Sequence, residues 1–104
     1  MGRKLGLTLA QVVEAAAGIA DRDGLDALSL ASVASALGVR SPSLYSHVDG
    51  LSGIRRQLSI HASNLLTAEV ADAAAGLEST QALRAIATQL RSFAHRHPGL
   101  YASF

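Results

Sequence analysis

Apolar residues recur at helical spacing along most of this chain, in stripes separated by glycine, serine and proline. Val12, Val13, Ala16, Ile19 and Ala20 form the first stripe. Thr8 and Gln11 ahead of it read as a capping box, the hydroxyl accepting from a first-turn amide and the Gln side chain reaching back. Gly24 stops the helix and Leu25 packs back against it, so a helix over about 9–23 is predicted. Ser29 then caps a short stripe of Leu30, Val33, Ala34 and Leu37 that Gly38 closes, a helix over 30–37. Ser41 as cap and Pro42 at the first helical position open a third helix through Leu44, Tyr45 and Val48, ended by Asp49-Gly50. A longer pattern over 51–75 runs through Leu51, Ile54, Leu58, Leu65, Leu66, Val70 and Ala73. At 1.5 Å per residue it predicts roughly 37 Å of helix. Gly76 breaks it, and Ser79 caps the next stripe, Leu83, Ile86, Ala87, Leu90, Phe93 and Ala94, which Pro98-Gly99 interrupts. The ending Leu100-Tyr101-Ala102-Ser103-Phe104 is apolar and predicts docking against further helices.

Composition narrows the class. The 104 residues are 49% hydrophobic and 16% charged, which excludes a disordered tail or a highly charged arm. Two prolines and four aromatic residues among many alanines favour an all-α domain. The absence of cysteine excludes a disulfide framework, a thiolate metal site and a cysteine nucleophile. No apolar run approaches the roughly 20 residues a membrane helix needs. Met1-Gly2-Arg3-Lys4-Leu5 has a basic start without an apolar run behind it, so no secretory signal is read and a cytoplasmic location is expected.

The net charge of +1 does not by itself announce a nucleic acid. Its distribution adds something. Arg3, Lys4, Arg40, Arg55 and Arg56 are bases of the first sixty residues, while Asp21, Asp23 and Asp26 lie together and read as the solvated end of the first helix, pointing away from any DNA.

The second and third predicted helices carry the functional argument. Two short helices joined by a tight turn containing glycine are the helix-turn-helix signature. Ala34 is small where the helices cross, Gly38 permits a left-handed turn, and Leu44 and Val48 point towards Val33 and Leu37. Arg40, Ser43, Ser46 and His47 are then left facing outward with Tyr45 on the flank, a polar rod of a size to enter a major groove. Ser43 and His47, four apart, invite a nucleophile-and-base reading. No acid nearby in sequence orients the histidine and no oxyanion site is visible, so an enzyme is not expected. His95 and His97, two apart on a helix, diverge, and neither a metal nor a cofactor is expected.

Residues 29–48, ending in Ser-Pro-Ser-Leu-Tyr-Ser-His-Val, resemble the DNA-binding segment of the tetracycline-repressor (TetR) family of bacterial transcription regulators. The likeness extends over about residues 8–60, and Phe93-Ala94-His95-Arg96-His97-Pro98-Gly99-Leu100-Tyr101 resembles a segment of the regulatory domain of one TetR subgroup. The resemblance implies a helix-turn-helix DNA-binding domain over 1–50 and, over 51–104, the first part of a helical effector and dimerisation domain. It also implies a homodimer that binds a palindromic double-stranded operator through its third helix, usually represses, and lets go when a small-molecule effector binds. Ser29 would touch phosphate. Arg40, Ser41, Pro42, Ser43, Tyr45, Ser46 and His47 would form the groove-facing surface, with Arg3 and Lys4 as a basic arm. Family effector domains normally make a longer chain, so the expectation is of a partial regulatory domain.

A pocket for the effector is expected among His61, Leu90, Phe93, His97 and Tyr101, the last three spaced four apart. Arg84, Arg91 and Arg96 read as a solvated face bridged to Glu78 or Glu69. The competing reading is a small helical protein–protein interaction module that never meets DNA.

Overall fold

The structure, a computed structural model, describes residues 6–104. All regular structure among them is helical. Five α-helices follow one another: α1 (Leu9–Asp23), α2 (Leu30–Leu37), α3 (Gly50–Ala74), α4 (Ser79–Arg96) and α5 (Pro98–Ala102). Two 3₁₀ helices interrupt them, Leu25–Ala27 and Ser41–Ser46.

The first two helices begin and end where local chemistry requires. The Thr8 hydroxyl accepts from the Gln11 amide at 3.2 Å, and the Gln11 side chain accepts from the Thr8 amide at 2.9 Å. At α2 the same device is built from two serines. Ser29 Oγ accepts from the Ser32 amide and Ser32 Oγ from the Ser29 amide, both at 2.9 Å. Gly38 closes α2 at φ +70°. Its amide donates to the Ser35 carbonyl and that of Val39 to the Ala34 carbonyl, the crossed pair of bonds that satisfies the last carbonyls of a helix. At α4 the sequence reading shifts by one residue. Ser79 lies inside the helix, and Glu78 precedes it without a side-chain cap.

One apolar core joins all of these helices. Val12, Ala16 and Ile19 of α1 meet Val33 and Ala34 of α2, Leu44 of the second 3₁₀ helix, Ile54 and Leu58 of α3, Phe93 of α4 and Leu100 of α5. Full burial of a Leu or Phe side chain stabilises by about 1.5–3 kcal/mol, so this shared core holds the short helices that could not persist alone. The α4 stripe is less buried than its periodicity predicts. Phe93 is fully enclosed, whereas Leu83 is 69% exposed and Leu90 also faces outward. Among the described residues, α4 packs chiefly on α3, with α5 against its end.

That contact is held by polar bonds. Glu69 on α3 accepts from Gln89 at 2.7 Å and pairs with the Arg96 guanidinium. The bond from Arg96 is the largest influence on Glu69 and holds its carboxyl below the ordinary value, with Gln89 acting the same way against the cost of partial burial. Arg96 is thus bridged to Glu69 as expected. Arg84 and Arg91 form no ion pair among the described residues.

The junction of α1 with α5 corrects the reading of the acidic trio. Asp21 is not a solvated helix end. Its carboxylate accepts from the Gly99 amide at 2.9 Å and the Leu100 amide at 3.0 Å, and its other oxygen lies 2.6 Å from His97 Nδ1. A carboxylate only accepts, so the ring proton sits on Nδ1. Gly99 lies so close to α1 that a Cβ there would stand 2.1 Å from the Ala20 carbonyl carbon. Asp23 and Asp26 do remain exposed.

Candidate nucleic-acid interface

The segment after α2 is the centre of the site. It is a 3₁₀ helix of six residues, Ser41–Ser46, where an α-helix to Val48 was expected. Ser41 does not cap it but occupies its first position, and Arg40 precedes it without a side-chain bond. The reason is local. Pro42 withholds an amide, the Ser43 amide donates to the Arg40 carbonyl, and the Ser46 hydroxyl donates to the Ser43 carbonyl at 3.0 Å. Serine hydroxyls compete for backbone groups, and no side chain caps the first turn.

A 3₁₀ helix repeats every three residues, so positions i and i+3 eclipse. Ser41, Leu44 and His47 therefore fall in one line, Pro42 and Tyr45 in a second, and Ser43 and Ser46 in a third. Burial follows these lines. Leu44 is fully buried, with Ser41 and His47 half-buried beside it, whereas Pro42, Ser43, Tyr45 and Ser46 are exposed. This revises the outward set. Tyr45, at 59% exposure, is the prominent side chain rather than a flanking one, and His47 sits at the edge. Ser43 and His47 lie in different lines, which removes the geometric basis of a nucleophile–base pair.

Val48 is 6% exposed and anchors the end of the segment. Its amide and that of His47 both donate to the Leu44 carbonyl, at 3.0 and 2.9 Å. Leu44 and Val48 thus seat the segment against Val33 and Ala34. Arg40 is exposed at its start. Ser29 is half-buried and its hydroxyl is engaged in the α2 capping box. Arg3 and Lys4 lie outside the described residues.

A polar notch of about 230 Å³ opens beside the segment, lined by Tyr45, Ser46, His47, Asp49 and Arg56 among others. Arg56 comes from the second turn of α3 and lines this notch together with Tyr45.

The five residues expected to form an effector pocket do not converge. Phe93 belongs to the core and its ring lies 5.1 Å from that of His97, which is bound to Asp21. Leu90 and Tyr101 are exposed. His61 lines a separate groove between α1 and α3 with Val13, Glu14 and Ile60. No group of three or more potential metal ligands gathers among the described residues. None of the described helices is long and apolar enough to cross a membrane.

A short helix on a tight glycine turn, buried on one line and polar on two, is the architecture of a helix-turn-helix. Comparison with known proteins agrees with that class. The chain is 37% identical over 101 residues to YobS of Bacillus subtilis (strain 168), described as an uncharacterized HTH-type transcriptional regulator; the match covers 97% of this chain and 53% of the relative. It is 36% identical over 104 residues to Rv0681 of Mycobacterium tuberculosis (strain ATCC 25618 / H37Rv), described in the same words, covering 100% of this chain and 48% of the relative. A third match, 53% identical over 49 residues, is to the HTH-type transcriptional repressor DrrR1 of Streptomyces coeruleorubidus, covering 47% of this chain and 18% of the relative. The chain thus spans about half the length of the first two relatives. No protein-family model matches it.

Proposed function

We propose that this chain is the DNA-reading portion of a TetR-type transcriptional regulator, acting in the cytoplasm as a ligand-responsive repressor. The observation that carries this reading is the Ser41–Ser46 segment, fixed through Leu44 with its polar lines free. Arg40, Ser41, Pro42, Ser43, Tyr45, Ser46 and His47 form the face that enters the major groove of double-stranded DNA. Arg3, Lys4 and Ser29 contribute contacts to the backbone. Residues 1–50 are the DNA-binding domain and 51–104 the start of the regulatory domain. Two copies as a homodimer place two such segments on a palindromic operator, about 34 Å apart, and a small-molecule effector changes that spacing. The kinship with described transcription regulators supports this reading over a protein–protein interaction module and over an enzyme.

The test is selection of a duplex from a random pool, followed by titration of that duplex at two salt concentrations. Specific binding that weakens steeply with salt is expected. Arg40→Ala and Tyr45→Ala each weaken the selected duplex by about 1–3 kcal/mol if they reach base edges, with Tm unchanged. Unaltered affinity in both variants removes the proposed surface.

A further inference from the structure

We infer that the groove between α1 and α3 binds a small amphipathic amine, a molecule with an apolar body and one ammonium group, with Glu14 as its counter-ion. None of the observations behind this uses the DNA-binding reading above, so the two stand or fall separately. The groove has a volume of about 350 Å³. Sites for small molecules begin at about 300 Å³. Its walls come from one ridge of each helix. Leu9 and Val13, four apart, share a face of α1, and Ile60 lines the groove from α3. Leu9 is 37% exposed and Ile60 48%. Covering them removes apolar surface from water within one concavity, which favours an occupant with an apolar body.

The polar groups specify the other end of that occupant. Glu14, His61 and Asn64 line the groove, and no Lys or Arg among the described residues does. Glu14 forms no ion pair among the described residues. Nor does any hydrogen bond among them engage the side chains of these three. A groove with one carboxylate and no basic side chain attracts a cation and repels an anion. A neutral imidazole nitrogen and an amide oxygen can then accept from the ammonium protons that Glu14 leaves free.

Three probes of one skeleton test this: phenylpropylamine, phenylpropanol and phenylpropionate. Each is titrated into the 104-residue chain at mildly alkaline pH, where a free imidazole is neutral and the amine stays charged, and backbone amide shifts are followed by NMR. Saturable shifts over residues 9–14 and 57–64 are expected for the amine. The alcohol is expected to bind about 2- to 5-fold more weakly, the worth of an exposed ion pair, and the propionate more weakly again. Glu14→Gln makes amine and alcohol bind alike, whereas Ile60→Ser weakens all three probes and keeps their order. Equal affinity for amine and alcohol in the wild type, or a preference for the amine that survives Glu14→Gln, overturns the assignment. So do amine shifts that fail to saturate or that lie away from the groove, whatever a duplex titration shows. Both substitutions fall at exposed positions, where an unchanged Tm is expected, and the comparison of probes on the wild-type chain needs no variant to fold.

Discussion

Two short helices in this protein open with the same device and come to opposite ends. Ser41–Ser46 follows Arg40 and carries Pro42; Pro98–Ala102 follows His97 and carries Pro98. In the first, no side chain caps the start, two of three lines of side chains face solvent, and the helix stays 3₁₀. In the second, Asp21 takes up two free amides and His97 together, Leu100 is 1% exposed, and the helix is α. The glycines differ in the same way. Gly38 is required for its left-handed backbone, and a Cβ there would meet open space. Gly99 has no such conformation and is required because the α1 backbone fills the place of its side chain. One junction leaves its polar groups facing solvent, and the other consumes them to join α1 to α5.

The sharpest break of this contrast is Gly99→Ala. The obstacle is the backbone of Ala20, which cannot rotate aside, so a loss of about 3 kcal/mol is expected from overpacking. An unchanged midpoint in chemical denaturation would show that α5 can stand off α1 freely. Asp21→Ala comes next. It strands the Gly99 and Leu100 amides and is expected to cost about 2 kcal/mol. Hydrogen exchange at those two amides should quicken well before the rest of α1 is affected. Gly38→Ala should cost about 1 kcal/mol, since only the backbone conformation opposes it. A loss as large as that of Gly99→Ala would mean the two glycines act alike.

The smallest effect is expected at Glu69. Its depressed carboxyl pKa means that the Arg96 bond contributes stability above the ordinary carboxylate value of 4.5, and that this contribution is lost as pH falls through the lower, folded value. Glu69→Gln should therefore lower Tm slightly near neutrality and converge with the wild type in acid. A constant difference down to acid pH would assign the effect to packing instead.

Much of this was legible locally. The bounds of α1 and α2 follow from Thr8, Gln11, Gly24, Ser29 and Gly38, because caps act over three or four residues and leave their mark in the sequence. The exposure of Pro42, Ser43 and Ser46 was legible too. The order of exposure along the segment was not, since the periodicity of Leu44 and Val48 suits an α-helix as well as a 3₁₀ turn followed by a bend. Leu83 and Leu90 were misread because an apolar stripe shows that a face wants a neighbour, not that this chain supplies one.

The sequence by itself determined an all-helical chain, the start and stop of its early helices, and a polar rod after Gly38. Only the tertiary structure decided that Asp21 reaches His97, 76 residues away, that Gly99 abuts Ala20, and that Arg56 shares a notch with Tyr45. Caps and stripes are short-range and repeat with the helix, whereas these meetings depend on how whole helices cross, which a single side chain does not encode.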